Sequence, residues 1–295
     1  MDAIGFGALN VDKIYLVNKI PKAEEEAFVK DVKIFAGGSA SNTIVGLSRL
    51  GLKTGYIGKV GNDADGDFLL KDLRIEGVDT YQVIRAEGRS GNALIFVDEC
   101  GNRAILVDPG VNDTIRFDEI DTDYVSKFKL LHLTSFICKF GDKSFKSQKM
   151  LVREFDGIVS FDPGAVYAER GLKDLRDIIK ETTIFMPNAI EMETLTGLSY
   201  REGANEILSM GVEIVVVKLG ERGCYVTNGE IEFEIPAFKV EVVDTTGAGD
   251  AFNAGFLYGY LKGKDLKECG KLGNYVASLC IRKVGAREGL PRSLS

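Results

Sequence analysis

The chain predicts an α/β fold: a central, mostly parallel sheet with helices on both faces, plus a small β-sheet lid. Three observations predict it. Short apolar, β-branched runs alternate with helical patterns through most of the 295 residues, as strands joined by crossover helices do. Two segments, 12–36 and 91–108, break that rhythm, with alternating character and no helix to cover them. Hydrophobic residues make up 45% of the chain, enough for one large layered core. We read residues 1–295 as a single domain with the lid sheet inserted from those two segments.

The elements follow in chain order. "AIGFGAL" (3–9) is the first strand candidate, and 12–36 a strand pair whose charged stretch "KAEEEAF" (22–28) is a solvated turn. A helical pattern covers 39–50, "TGYIGKV" (54–60) is a strand, and 64–76 is helical again. "GNALIFVDECGNRAILVD" (91–108) has the pattern of a hairpin, turning at "ECGN" (99–102). Strands "LLHLTS" (130–135), "IVSFD" (158–162), "TIFMP" (183–187) and "EIVVVKL" (213–219) alternate with helices at 143–155, 172–181 and 201–210. Two helices, 248–262 and 265–282, close the chain. A lid built from two distant segments leaves an apolar face to bury, which points to a homodimer formed through it.

Composition excludes several classes. A net charge of −7 argues against a dedicated nucleic-acid or anionic-membrane binder. No apolar run approaches the roughly 20 residues of a membrane helix. The start, "MDAIGFGALNVD", lacks a signal-peptide layout, and five unpatterned cysteines (Cys100, Cys138, Cys224, Cys269, Cys280) read as reduced thiols of a cytoplasmic protein. The single histidine, His132, lies in an apolar run and reads as a core residue. A multi-histidine metal site is impossible.

The stretch that calls for chemistry is "DTTGAGDAF", Asp244 to Phe252. Gly247, Ala248 and Gly249 would form the first turn of an apolar helix, where backbone N–H groups lack intrahelical partners and the dipole favours an anion. Asp250, in the same turn, is placed to take a proton as charge builds there. A phosphoryl-transfer cradle beside a general base fits, and so does a tight helix start with an ordinary aspartate. No G-x-x-x-x-G-K-[ST] loop and no protein-kinase signature occurs. "GFGALN" (5–10) lacks the third glycine of a dinucleotide fingerprint.

"DTTGAGD" resembles the second signature of the ribokinase family, the PfkB-type carbohydrate kinases, and "GGSASN" (37–42) resembles the first, about two hundred residues earlier. Asn10-Val11-Asp12 stands at the family's acceptor-binding aspartate. "PNAIE" (187–191) is similar to its N-x-x-E element, and "KLGERG" (218–223) to its nucleotide loop. "GNYVASLCIRKVGAREGLP" (273–291) resembles its closing helix and loop, so the likeness runs through nearly the whole chain.

The resemblance implies an ATP-dependent phosphotransferase acting on a hydroxyl of a small sugar. Asp250 would be the base, and Gly247, Ala248 and Gly249 the anion hole. Asp12, Asn10, Gly37, Gly38 and Asn42 would hold the acceptor. Asn188, Lys218, Gly220, Gly223 and Asn274 would bind the nucleotide, and Glu191 would hold Mg²⁺ through water. Asp244 and Thr246, with carbonyls around Cys280, Lys283 and Gly289, match a monovalent-cation (K⁺) loop of some members. Ser39 departs from ribokinases, which commonly carry lysine there, and puts ribose in doubt. "VSFDPG" and the stretch from "IPAFKVE" are close to archaeal nucleoside kinases of the superfamily, so a nucleoside acceptor stays open. Phe28, Phe35 and Phe96 would then wall the base. A non-catalytic sugar-binding regulator is the third alternative, though it would be expected to lose Asp250 or the glycines.

Overall fold

The computed structural model describes residues 1–294. The strands are β1 (Ala3–Phe6), β2 (Asn10–Val17), β3 (Val29–Gly37), β4 (Thr54–Gly61), β5 (Val83–Ala86), β6 (Gly91–Val97) and β7 (Arg103–Asp108). They continue with β8 (Leu130–Thr134), β9 (Ile158–Asp162), β10 (Ile184–Phe185), β11 (Ile214–Lys218), β12 (Cys224–Thr227) and β13 (Glu232–Ile235). The helices are α1 (Ser39–Arg49), α2 (Ala64–Ile75), α3 (Thr122–Val125), α4 (Lys143–Glu154) and α5 (Gly164–Ala168). After them come α6 (Gly171–Ile179), α7 (Ala189–Thr196), α8 (Tyr200–Ser209), α9 (Ala248–Leu261) and α10 (Leu266–Cys280).

Nine strands form one sheet in the order β13-β12-β11-β10-β9-β8-β1-β4-β5. Pairing is parallel from β11 to β5, and β12 and β13 add an antiparallel hairpin at one edge. The central strands are buried on both faces, which is why "AIGF" and "TGYIGKVG" read as unbroken runs rather than alternations. Successive residues still divide between two cores. Ala3, Leu130 and Val216 face the layer of α1, α2, α9 and α10, while Ile4, Leu131 and Val217 face α4, α6, α7 and α8.

The second sheet has the order β3-β2-β6-β7, with β2 and β6 parallel and the outer pairs antiparallel. Lys13 of β2 pairs with Asp65 of α2 at 2.7 Å, and the Phe35 ring stands 3.3 Å from where a Cβ on Gly285 would lie. The sheet thus stands against α2 and the loop after α10.

Structure and sequence reading differ at the edges. "TIFMP" is regular strand only at Ile184–Phe185: Met186 N still donates to the Phe161 carbonyl and the Pro187 carbonyl accepts from Lys218 N, but Pro187 has no N–H to give and Asn188 turns the chain into α7. The β12–β13 hairpin lies outside the elements predicted from sequence. Its signal is Asn228-Gly229 between two alternating runs, with Gly229 at φ 88°. No helix among the described residues is long and apolar enough to cross a membrane. All five cysteines are free, and Cys224, Cys269 and Cys280 are buried.

One buried ion pair holds the chain's last loop to the helices. Arg49, at the end of α1, donates to both Glu76 carboxylate oxygens at 2.7 and 2.8 Å. Its Nη1 also donates to the carbonyls of Arg287 and Leu290 at 2.5 and 3.1 Å. Hydrogen bonding to Arg49 holds the Glu76 carboxyl below its ordinary 4.5 against the effect of burial. Arg49→Met should therefore lower stability by about 1–3 kcal/mol at neutral pH, since it removes both hydrogen bonds to the Glu76 carboxylate and leaves it only the more distant Arg292, at 3.7 Å. Because the folded pKa is depressed, the stabilisation is present above 4.5 and lost as pH falls through the lowered value. Denaturant midpoints of the two proteins should converge in acid, and a constant gap across pH would contradict the assignment.

Candidate active site

Helices α1 and α9 meet with their N-termini side by side at the sheet's carboxyl end. Gly247 enters α9 in the left-handed region, φ 76°, and a Cβ there would stand 2.7 Å from the Ala286 backbone. Ala248 and Gly249 complete a first turn with no bulky side chain; the Ala248 N–H donates to the Thr245 carbonyl at 3.1 Å, and those of Gly247 and Gly249 stay approachable. Gly38 caps α1 at φ 103°, where a Cβ would fall 2.1 Å from the Ala8 carbonyl oxygen. Only glycine fits.

Asp250 is held by α1 on both carboxylate oxygens. The Ser39 hydroxyl donates to Oδ1, and Asn42 Nδ2 donates to Oδ2 at 2.8 Å. Thr43 Oγ1 reaches the Asp250 carbonyl at 3.3 Å. Burial pushes the Asp250 carboxyl up to about 6, although the Ser39 and Asn42 hydrogen bonds and Lys218 act to lower it. Asp12, on β2, is also pushed up to about 6, by burial first; the Arg287 charge lowers it and the Asp250 charge raises it. A Cβ on Gly37 would lie 2.2 Å from Asp12 Oδ2, so glycine admits the carboxylate against the backbone. Asn10 is partly committed elsewhere: its Oδ1 accepts from Asn112 Nδ2 at 2.9 Å.

On the other side of Asp250, Lys218 ends β11 with its Nζ 2.5 Å from Asp162 Oδ2. Asn253 Nδ2 donates to the same oxygen at 2.6 Å. A Cβ on Gly249 would stand 3.5 Å from Lys218 Nζ, so the ammonium lies beneath the first turn of α9. Asn188 and Glu191 form a reciprocal cap on α7. Asn188 Oδ1 accepts from Glu191 N at 2.9 Å, and Glu191 carboxylate accepts from Asn188 N at 2.7 Å. Burial raises the Glu191 carboxyl, and Asp162 raises it further. Three acids, Asp162, Glu191 and Asp250, thus share the field of one lysine. That excess of negative charge suits a divalent cation. No group of three or more ligating side chains among the described residues could hold one directly.

Gly220, Asn274, Thr245 and Ala248 line a groove of about 870 Å³ that leads to the same helix start. The Asn274 amide donates to the Ile235 and Pro236 carbonyls at 3.0 and 3.2 Å, so it shapes the groove wall rather than offering free donors. Gly223 sits at the turn before β12. Asp244 anchors the loop before α9: Oδ1 accepts from Thr246 N and Oγ1 at 2.9 and 2.7 Å, and Oδ2 from Gly285 N at 2.9 Å. Burial opposes its charge, but those donors hold its carboxyl below the usual range. His132 stands apart in β8, fully buried, with Nδ1 3.1 Å from Ser160 Oγ and its pKa pushed down to about 4 by burial.

The structure adds Asp162, Asn253, Ser39 as a direct partner of Asp250, and Arg287. Asp162 had a readable signal, an acid at the carboxyl end of a parallel strand, where α/β sheets bind ligands. Arg287 had none, because its partners lie 215 to 246 residues away.

The sequence pattern of the pfkB family carbohydrate kinases matches residues 3–293. An uncharacterized sugar kinase of Archaeoglobus fulgidus is 64% identical over 250 residues, covering 85% of this chain and 100% of that protein. The crystal structure of a ribokinase from Thermotoga maritima is similar with a TM-score of 0.90 at 29% identity, over 98% of this chain and 96% of that one. A nucleoside kinase from Methanocaldococcus jannaschii follows with a TM-score of 0.85 at 25% identity, over 99% and 95%. Helix starts facing each other across an aspartate, a nine-stranded sheet and these likenesses have one reading: the chain belongs to the pfkB family of carbohydrate kinases.

Proposed function

We propose that this kinase transfers the γ-phosphoryl group of ATP to a hydroxyl of a small sugar, with Asp250 as general base. The observation that carries the reading is the position of Asp250, in the open first turn of α9, gripped by Ser39 and Asn42 and flanked by Asp12 and Lys218. A carboxyl near 6 is ionised at neutral pH yet basic enough to take a proton.

In the reaction, Asp250 removes the hydroxyl proton as the acceptor oxygen bonds to the γ-phosphorus. The bond from that phosphorus to the β,γ-bridging oxygen breaks, and ADP leaves with the electron pair. The N–H groups of Gly247 and Gly249 would face the charge on the transferred group, with Lys218 below; the Ala248 N–H, expected to join them, donates to the Thr245 carbonyl instead. Asp12, the Asn10 amide nitrogen and the Gly37-Gly38 backbone would hold the acceptor, whereas Asn42, expected among them, has both ends of its amide taken by Asp250 and Arg287. The 870 Å³ groove lined by Gly220 and Asn274, with Gly223 in the turn that follows Arg222, would take the nucleotide. Glu191 and Asn188 are placed to orient waters of Mg²⁺, which would neutralise phosphate charge when bound. Asp244 and Thr246 shape a loop whose carbonyls would ligate K⁺.

One observation favours a sugar over a nucleoside. Phe96 pairs with Tyr15 and stacks on it at 5.4 Å, on the face of the small sheet opposite to Asp12. On Asp12's own face its neighbours are Ala93 and Phe35, and Phe28 is 68% exposed. That surface carries one aromatic ring rather than a wall for a base. Asp250 and the glycines, intact, argue against a non-catalytic regulator.

The small sheet would act as a lid that excludes water, and would pair with a second copy of the chain. Ile34 and Leu106 are 54% and 61% exposed on one of its faces, an apolar surface that a monomer leaves in water. Leu106→Glu should convert a dimer to a monomer in sedimentation at micromolar concentration. A wild-type monomer would remove this part of the proposal.

Asp250→Asn should lower kcat by about 10²–10⁴-fold with substrate affinity kept. In the wild type, kcat should fall as pH drops below about 6. The folded pKa is raised, so Asp250 favours the fold below 3.8 and loses that contribution as pH rises through about 6. The variant should therefore be more stable than wild type at pH 8, by about 1 kcal/mol or more, with the difference gone in acid. Turnover near wild type would refute the base assignment. Asp12→Ala should raise the acceptor KM by about 10-fold or more, since it leaves hydroxyls unpaired, while the ATP KM stays put. Equal movement of both constants would place Asp12 outside the acceptor pocket.

A further inference from the structure

Arg287 lies in the loop after α10, 7% exposed, and every nitrogen of its guanidinium is engaged. Nε donates to Asn42 Oδ1 at 2.8 Å, Nη2 to Ser41 Oγ at 2.6 Å, and Nη1 pairs with Asp72 of α2. Ser41 Oγ in turn lies 2.9 Å from the carbonyls of Gly37 and Gly38. The Arg287 carbonyl accepts from Arg49, which Glu76 holds on two bonds. The guanidinium is anchored from three sides.

An asparagine amide has two ends, one that only donates and one that only accepts. Asn42 stands between two groups that each admit one end alone. Arg287 can only donate, so it takes Oδ1. Ionised Asp250 can only accept, so it takes Nδ2, at 2.8 Å. Turning the amide over would set N–H groups against a guanidinium and a carbonyl against a carboxylate. We propose that Arg287 is a positioning residue: it locks the orientation of the Asn42 amide and thereby aims the Asp250 carboxylate and keeps it hydrogen-bonded in its ionised form. The consequence for turnover rests on the reading of Asp250 as the base.

The charged groups that bear on Asp250 from the surrounding elements are Asp12 of β2, Asp162 of β9, Lys218 of β11 and Glu191 of α7. None of them hydrogen-bonds to Asn42, so its orientation is set from the Arg287 side. The Asn42 bond favours the charged carboxylate. Losing it should move the Asp250 titration to higher pH.

The test uses Arg287→Lys, which keeps the positive charge but cannot reach Asn42, Ser41 and Asp72 together, with Asp72→Asn as a control. The readout is the Asp250 carboxyl carbon, followed by NMR in protein labelled at aspartate and assigned by its loss in Asp250→Asn. The expected result is a rise in the Asp250 midpoint of about half a unit or more in Arg287→Lys, and an unmoved midpoint in Asp72→Asn. In turnover assays the lysine variant should lose about 10-fold or more in kcat at pH 7 with the ATP KM unchanged. Should the lysine variant not fold, the pair Arg287→Met with Asp72→Leu removes both charges of the ion pair together and should show the same rise. A midpoint that stays in place in a folded variant lacking Arg287, or that moves equally in Asp72→Asn, overturns the proposal. A wild type that phosphorylates no acceptor would defeat the proposed reaction, while the carboxyl titration would still decide the role of Arg287.

Discussion

The arrangement depends on one constraint: the Asp250 carboxyl sits in a place where burial disfavours its charge. Burial at the meeting of two helices raises its pKa, and nearby Asp162 adds to the effect. What offsets this is a pair of hydrogen bonds from α1, by Ser39 and Asn42. Those bonds require α1 and α9 to start side by side, which in turn demands glycine at Gly38 and Gly247. The sheet order follows the same need, because β1 lies between β4 and β8 and launches the chain toward both the small sheet and α1.

A site rich in acids works against stability, and the fold compensates at a distance. Lys218 neutralises Asp162 at one side, and Arg287, itself paired with Asp72, lowers the Asp12 carboxyl at the other. Each of these cations is buried and each is engaged by carboxylates, so neither is left as an isolated charge. The two cations flank the space where acceptor and nucleotide would meet, and a polyphosphate with its counter-ion would complete the balance of charge.

Much of this was legible in the chain. Alternating apolar runs and helical patterns placed the central strands and the long helices within a few residues of their ends, because burial on both faces leaves an unbroken apolar run. The glycines of "GAGD" marked a helix start that needs its backbone bare. Less legible was α7, whose eight residues carry little amphipathic pattern, and the β12–β13 hairpin, whose signal is a single Asn-Gly pair. Asn188 and Glu191 show why a single residue can carry two readings. Their reciprocal cap is a structural device, and it also fixes Glu191 in the field of Lys218 and Asp162.

The sequence by itself determined the layered α/β class and the family, and it singled out Asp250, Asp12 and the glycines as candidates, because each of these depends on local spacing or on a short stretch of backbone. Only the tertiary structure decided which groups tune them. Ser39 lies 211 residues from Asp250, and Arg287 lies 245 from Asn42. A hydrogen bond between such distant positions leaves no periodicity and no spacing in the chain. It exists only once the sheet has brought the carboxyl ends of its strands to one place, where a buried charge must find a partner or lose its proton equilibrium.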